Sequence, residues 1–274
     1  MAAAVLLGDA SWKRTTRRAV RALAGAPGTM PGEGGAISPD ELAALPGPVA
    51  RYFRFALAPG QRVIEHAWFR QTGTMRSSAG AAWSPFTAVE AFSTRPPGFV
   101  WDAAAAMLPF VPLRIRDGYA GGEGASEAKL AATIPLQKLG GTPEVASSSL
   151  LRYLAEAAWL PTALLPRSGV SWAQTADGAR ATLADHGVTV SADVEFGGDG
   201  EIVRVSALRF QAVRGKPVLT RWIGRYSEYA RVAGMMIPLA AEVAWSPPEG
   251  EFTVWRGRIA DARYRFATEP PAAS

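Results

Sequence analysis

The stretch VTVSADVEF, residues 188–196, alternates apolar and polar side chains without a break. Successive side chains of a β-strand point to opposite faces of a sheet, so the alternation predicts a strand with one dry face and one wet face. The dipeptide Asp199-Gly200 follows closely, and glycine accepts the positive φ that tight hairpin turns require. This part of the chain therefore predicts antiparallel sheet that buries one of its faces.

Similar runs cover most of the chain from residue 62 to residue 266. Turn signals such as Asp177-Gly178 and Glu249-Gly250 separate them, and together they indicate about twelve strands. An antiparallel sheet of that size does not stay flat. We therefore predict an α+β fold in which a large, strongly curved antiparallel sheet forms an open barrel or half barrel.

Two helical segments are available to fill the concave side of such a sheet. Residues 39–56 begin with Pro39, directly after Ser38, and continue with the acidic residues Asp40 and Glu41. This order is typical of the beginning of a helix. Residues 143–160 place Leu150, Leu151 and Leu154 on one side at helical spacing. We expect both segments to pack on the concave face.

The first residues of the chain carry most of its net charge of +5, with five Lys or Arg against Asp9 alone in residues 1–30. Residues 10–24 can form a basic helix that lies on an anionic membrane surface, but a flexible or loosely docked tail is the simpler interpretation. A Gly/Pro linker is predicted over residues 26–35. We predict three regions: a flexible basic tail over residues 1–36, a single half-barrel domain over 37–267 and a disordered tail over 268–274.

The composition argues against several classes of protein. The absence of cysteine excludes disulfides and thiolate chemistry, and two histidines, His66 and His186, are too few for a histidine-rich metal centre. The sequence has no nucleophile elbow, phosphate-binding loop or zinc-protease motif, so we predict no catalytic residue, metal or cofactor. The basic excess lies in a tail rather than on a folded face, so nucleic acid is not an expected partner. No clear signal peptide or membrane-spanning helix is found, which favours the cytoplasm or a peripheral membrane position.

Several segments resemble a bacterial family of uncharacterised proteins, a domain of unknown function. They are LPGPVARY at residues 45–52, RDGY at 116–119 with Gly122 and Gly124, RYLAEAAWLPTALLP at 152–166, WIGRY at 222–226 and WRGRI at 255–259. The resemblance covers about residues 40–266 and implies no activity. The order of strands and helices also resembles the half-barrel of periplasmic lipoprotein carriers, which implies a curved sheet holding acyl chains under a helical lid.

Two groups of polar residues are candidates for chemistry. Arg152 and Glu156 lie four residues apart on one helical face and can pair, either as a lock between helix and sheet or as a ligand-orienting or acid–base group. Asp117 and Tyr119 share one face of a strand, and an outward orientation is the simpler interpretation for the acid. His66 is expected to be a packed wall residue of the first strand rather than a ligand.

Aromatic side chains are the most informative signal for a binding site. Nine tryptophans are many for one chain, and most fall on or beside predicted strands, where they serve as core or as the lining of a cavity. We predict a ligand site on the concave face formed by Trp68, Trp101, Tyr119, Arg152, Glu156, Trp222 and Trp245.

The features above favour a binding protein over an enzyme. The predicted function is to hold an apolar or lipid-like small molecule in the concave face of the sheet. Two alternatives stay open: an enzyme that uses Glu156 or Asp117 as acid–base on an apolar substrate, and a module that contacts a membrane surface through its basic amino-terminal segment.

Overall fold

The computed structural model describes residues 2–25, 37, 39–108, 111–213 and 215–267. The linker predicted over residues 26–35 and the tail predicted over 268–274 lie outside these residues.

The described residues form four α-helices and one antiparallel sheet of thirteen strands. The helices are α1 (Ala2–Ala24), α2 (Pro39–Ala43), α3 (Gly47–Ala56) and α4 (Pro143–Glu156). The strands are β1 (Ile64–Met75), β2 (Ser84–Thr94), β3 (Pro97–Leu108), β4 (Val111–Ala120), β5 (Glu123–Leu130), β6 (Ile134–Gly140), β7 (Val170–Gln174), β8 (Ala179–Asp185), β9 (Val188–Phe196), β10 (Ile202–Val213), β11 (Lys216–Val232), β12 (Met235–Ser246) and β13 (Phe252–Phe266).

The strand order explains why a helix must cross the sheet. The order is β6-β5-β4-β3-β2-β1-β13-β12-β11-β10-β9-β8-β7, so the first and last strands pair in the middle and the chain runs outward to one edge. It then crosses to the other edge through residues 141–169 and returns strand by strand to the centre. The curved sheet is a half-barrel with open edges, as the sequence predicts.

The crossing segment fills the concave side of the half-barrel. Helix α4 contacts β3, β4, β5 and β6 on one flank and β9 and β10 on the other. Three short 3-10 turns continue it to Ser168, and Leu150, Leu160 and Leu165 along this segment are completely buried. The interior is therefore packed mainly with the protein's own aliphatic and aromatic side chains.

Side chains of the sheet hold the end of this segment through its backbone carbonyls. The hydroxyls of Tyr226 and Tyr264 donate to the carbonyls of Ala155 and Trp159 at 2.7 and 2.9 Å. The last carbonyls of a helix have no partner within the helix, so these bonds satisfy groups that would otherwise be buried and unpaired.

The basic amino-terminal segment, expected as a flexible tail with a basic helix as the alternative, forms the helix α1 over Ala2–Ala24. It lies on the convex face: Trp12 is 3% exposed, and its Nε1 donates to Asp102 of β3 at 3.0 Å. The hydroxyl of Thr16 donates to the same carboxylate at 2.5 Å. Asp102 and its neighbour Trp101 point to opposite faces of the strand, and Trp101 points towards α4, so α1 and α4 cover the two sides of the sheet.

The strand β6 is absent from the sequence prediction, which counted about twelve strands. Its sequence, IPLQKLG, contains Pro135 and ends in glycine, and both residues argue against a strand interior. The strand occupies one edge of the sheet, where proline is tolerated because one row of backbone groups has no neighbouring strand.

Candidate functional site

A cavity of about 180 Å³ lies between the concave face and the end of α4. We call it the concave cavity. Its lining includes Met75, Trp101, Ile115, Asp117, Arg152, Glu156, Trp159, Arg209, Trp222, Tyr226, Val243 and Trp255. Five of the lining residues are aromatic, and charged groups from α4, β4 and β10 also line it. Glu242 of β12 is a further lining residue and forms its own ion pair with Arg256 at 3.0 Å.

Arg152 is the centre of the charged groups. Its guanidinium donates to Glu156 at 2.8 Å, to Asp117 at 2.7 Å and to Glu90 at 3.2 Å. The same guanidinium lies over the ring of Trp101, 4.8 Å from its centroid. Arg152 therefore ties α4 to β2 and β4 through the carboxyl groups of Glu90 and Asp117. Its predicted pairing with Glu156, within α4, is confirmed.

Two hydrogen bonds in series, from Trp101 through Gln71, hold the carboxyl group of Glu90 in place. The Trp101 Nε1 donates to Gln71 Oε1 at 2.8 Å, and the Gln71 Nε2 donates to Glu90 Oε2 at 2.7 Å. The side chain of Glu90 has no exposed surface. These bonds fix the position of a carboxyl group that lies entirely within the fold.

Burial shifts the pKa values of the two glutamates, Glu90 and Glu156. It raises the pKa of Glu90 well above its usual value, and the negative charge of Glu156 raises it further. Burial also raises the pKa of Glu156, although Arg152 acts in the opposite direction. Burial therefore favours the neutral form of each carboxyl group, and the neighbouring guanidinium of Arg152 opposes this effect.

Arg209 is the second cation at the cavity. It forms no ion pair with any residue that the structure describes, and its Nε donates to the Ser148 carbonyl at 3.1 Å. Its guanidinium lies 5.8 Å from the ring centroids of both Trp222 and Trp245. Burial and the nearby charge of Arg152 lower the pKa of Arg209 to about 10, so it stays cationic at neutral pH.

Three buried polar atoms around the cavity have no hydrogen-bond partner among the described residues. They are the acceptors Asp117 Oδ1 and Glu156 Oε2 and the donor Trp222 Nε1. Buried polar groups of native proteins are normally satisfied, so each of these atoms calls for a partner such as a ligand or a water molecule.

The structure brings together only part of the predicted site. Trp101, Arg152, Glu156 and Trp222 line the concave cavity. Trp245 is not part of the lining, although its ring centroid lies 5.8 Å from the guanidinium of Arg209, which is.

Two of the predicted residues lie elsewhere. Tyr119 is buried in the core, where its hydroxyl donates to Asp185 at 2.7 Å, and does not line the cavity. Trp68 lies on the convex face beside α1, with its ring stacked on the buried His66 at 6.0 Å between centroids. His66 is thus a packed wall residue, as expected.

The orientation of Asp117 differs from the one expected from the sequence. Its outward orientation was the simpler expectation, but the side chain points inward and bonds to Arg152 at 2.7 Å. The neighbouring Arg116 points outward and stacks on Trp12 of α1. The expectation was wrong because the partner of Asp117 comes from a helix 35 residues away in the chain.

Sequence reasoning also missed Glu90 and Arg209, although one signal was present for Glu90. Phe86, Ala88 and Phe92 alternate on the inward face of β2, and the same alternation places Glu90 among them. An acid in an apolar row indicates a buried functional or structural group.

The chain belongs to a family of unknown function, DUF6920, whose model matches residues 43–264. This match confirms the family resemblance that the motifs indicated. No curated protein matches the sequence.

Among the solved structures that are similar to the chain are the following two. One is a DUF1329 family protein from Desulfovibrio piger, with a TM-score of 0.42 and 12% identity over 73% of this chain and 86% of that chain. The other is a LolA superfamily protein from Nitrosomonas europaea, with a TM-score of 0.40 and 9% identity over 81% of this chain and 93% of that chain.

Proposed function

We propose that the protein binds a small amphipathic molecule in the concave cavity. The observation that carries the proposal is the cavity's mixed lining, which combines five tryptophan and tyrosine rings with buried polar atoms that have no partner among the described residues. Binding sites for small molecules commonly combine apolar walls with a few convergent polar groups in this way.

The volume limits the size of the ligand. A cavity of about 180 Å³ is smaller than the roughly 300–1,000 Å³ of sites for drug-sized molecules. The crossing segment occupies most of the concave side, so the remaining space suits one short apolar chain or a small ring rather than several acyl chains. The sequence predicts a lipid-like ligand, and the small volume of the cavity restricts this class of ligand to a small amphiphile.

Calorimetric titration of the full chain with three eight-carbon amphiphiles tests this proposal. The probes are octanoate, octylammonium and 1,2-octanediol, below the concentrations at which they aggregate. We expect saturable binding of at least one of them. Failure of all three to bind would contradict the proposal.

A pair of tryptophan variants locates the binding. Trp255→Ala removes an aromatic side chain from the cavity lining. We expect it to weaken the binding of the tightest of the three probes about tenfold or more, since a buried aromatic contributes a large contact area. Trp83→Ala is the control, because Trp83 packs between Arg76 and Arg256 outside the cavity lining. Equal losses in the two variants would place the binding elsewhere.

We also propose that the protein contacts anionic membranes through α1. The side chains of Lys13, Arg14, Arg17, Arg18 and Arg21 are all exposed on this helix. Among the described residues only Lys13 of these has an ion pair, with Asp9 at 2.6 Å. The apolar side of α1 is occupied by its packing on the sheet, so the contact is electrostatic, with about 1 kcal/mol per basic residue near an anionic surface. No described helix has the length and apolar character needed to span a bilayer.

Co-sedimentation with vesicles tests the membrane contact. We expect the protein to bind vesicles containing 30% phosphatidylglycerol and not pure phosphatidylcholine vesicles. Changing Arg14, Arg17, Arg18 and Arg21 to Gln is expected to weaken partitioning at least tenfold. Changing the exposed Arg51, Arg54, Arg221 and Arg231 to Gln removes the same charge elsewhere and is the control. Equal partitioning of the two variants, or equal binding to both kinds of vesicle, would refute the contact.

A further inference from the structure

The charges around the concave cavity cancel, and this constrains what the cavity accepts. Apart from Glu242, which pairs with Arg256, two carboxyl groups, Asp117 and Glu156, lie opposite two guanidinium groups, Arg152 and Arg209. Burial raises the pKa of the remaining carboxyl group, Glu90, which favours its neutral form. A ligand with a charged head would add one uncompensated charge to a largely buried site, and such a charge is strongly unfavourable. A neutral head avoids that cost.

The unpartnered atoms call for donors and acceptors on the same head group. Asp117 Oδ1 requires a hydrogen-bond donor, whereas Trp222 Nε1 requires an acceptor. The guanidinium of Arg209 also faces the cavity with donors beyond the one given to Ser148. A carboxylate head can only accept, and an ammonium head can only donate. A hydroxyl group does both.

The walls beside these atoms suit an apolar tail. Rings of Trp101, Trp222 and Trp255 face the cavity, together with the side chains of Met75 and Val243. Flat ring faces also pack well against the C–H groups of a hydroxylated head.

We infer that the ligand of the concave cavity has a neutral, hydroxyl-bearing head on an apolar tail, as in an alkyl polyol, rather than the head of a fatty acid or an alkylamine. The inference rests on the proposed ligand-binding function and names the class of ligand.

The same three eight-carbon probes separate this inference from the function on which it rests. At pH 7 we expect 1,2-octanediol to bind at least about tenfold more tightly than octanoate and octylammonium, which corresponds to one hydrogen bond with a charged partner. If octanoate or octylammonium binds as tightly as the diol or more tightly, the inference is overturned and the binding function stands. If no probe binds, the binding function itself fails.

Two conservative variants test the assigned atoms. Asp117→Asn turns part of the acceptor into a donor, and Trp222→Phe keeps an aromatic ring but removes the indole N–H. We expect each to weaken the binding of 1,2-octanediol about fivefold to tenfold, with a smaller effect on octanoate for Asp117→Asn. Asp193→Asn, at an exposed pair with Arg180, is the matched control. Unchanged diol affinity in both Asp117→Asn and Trp222→Phe, with folding verified by circular dichroism, would overturn the assignment.

Discussion

Replacement of Arg152 by methionine is expected to lower the free energy of unfolding by about 3–5 kcal/mol. Arg152 is the hydrogen-bonded partner of Asp117, Glu156 and Glu90, and its own side chain is 13% exposed. Methionine preserves much of the volume between Phe99 and Trp101 but leaves buried carboxylates without their cation. Urea unfolding at pH 7, followed by circular dichroism, measures the loss.

Two further variants show whether the loss comes from uncompensated charge. Arg225→Met removes an arginine whose ion pair with Glu251 is about 40% exposed, so its effect should stay within about 1 kcal/mol. Adding Asp117→Asn and Glu156→Gln to Arg152→Met should recover part of the stability, because no unpaired carboxylate then remains at that place. Equal destabilisation by Arg152→Met and Arg225→Met would show that the charges around Arg152 contribute no more than a surface pair.

Local patterns predicted most of the fold. The apolar stripe of α4 and the alternation in β9 depend on neighbours in sequence, and both elements occur where they were expected. The strand β6 was missed because its pairing with β5 outweighs the local effect of Pro135. The docking of α1 was not predictable from composition, since Trp12 finds its partner Asp102 ninety residues away.

The site was harder to predict because both faces of the central strands are buried. The helix α1 covers part of the convex side, over β2 and β3, and α4 fills the concave side, and β1 carries large apolar residues on both faces, with Trp68 near α1 and Phe69 in the core. Alternation then cannot tell which face is the inner one, and Trp68 was assigned to the wrong side of the sheet for that reason. Helical spacing predicted the pairing of Arg152 with Glu156. The other partners of Arg152, Glu90 and Asp117, come from separate strands and could not be predicted in that way.

The stabilising contribution of protonated Glu90 is expected to be lost as the pH rises above about 5, and Glu90→Gln is expected to remove this pH dependence. In the unfolded chain Glu90 ionises near its ordinary pKa of 4.5, whereas in the folded protein burial raises its pKa well above that value. Between the two pKa values the folded protein binds one more proton than the unfolded chain. The free energy of unfolding therefore decreases with rising pH, by up to about 1.4 kcal/mol per pH unit for one proton.

Glutamine removes the titrating proton of Glu90 but keeps only one acceptor, so it loses one of the two bonds that the Glu90 oxygens accept from Arg152 and Gln71. That loss is the same at every pH and does not change the slope. Unfolding free energies of Glu90→Gln measured from pH 5 to pH 8 should thus show a slope smaller by about one proton, with a gain over the native protein that grows towards high pH. Part of the slope remains, because the pKa of Glu156 is also raised by burial. Glu251→Gln, at an exposed ion pair, should keep the native slope. A native slope in Glu90→Gln would mean that Glu90 is already ionised in the folded protein, and the neutral charge balance of the concave cavity would then be lost as an argument for an uncharged ligand.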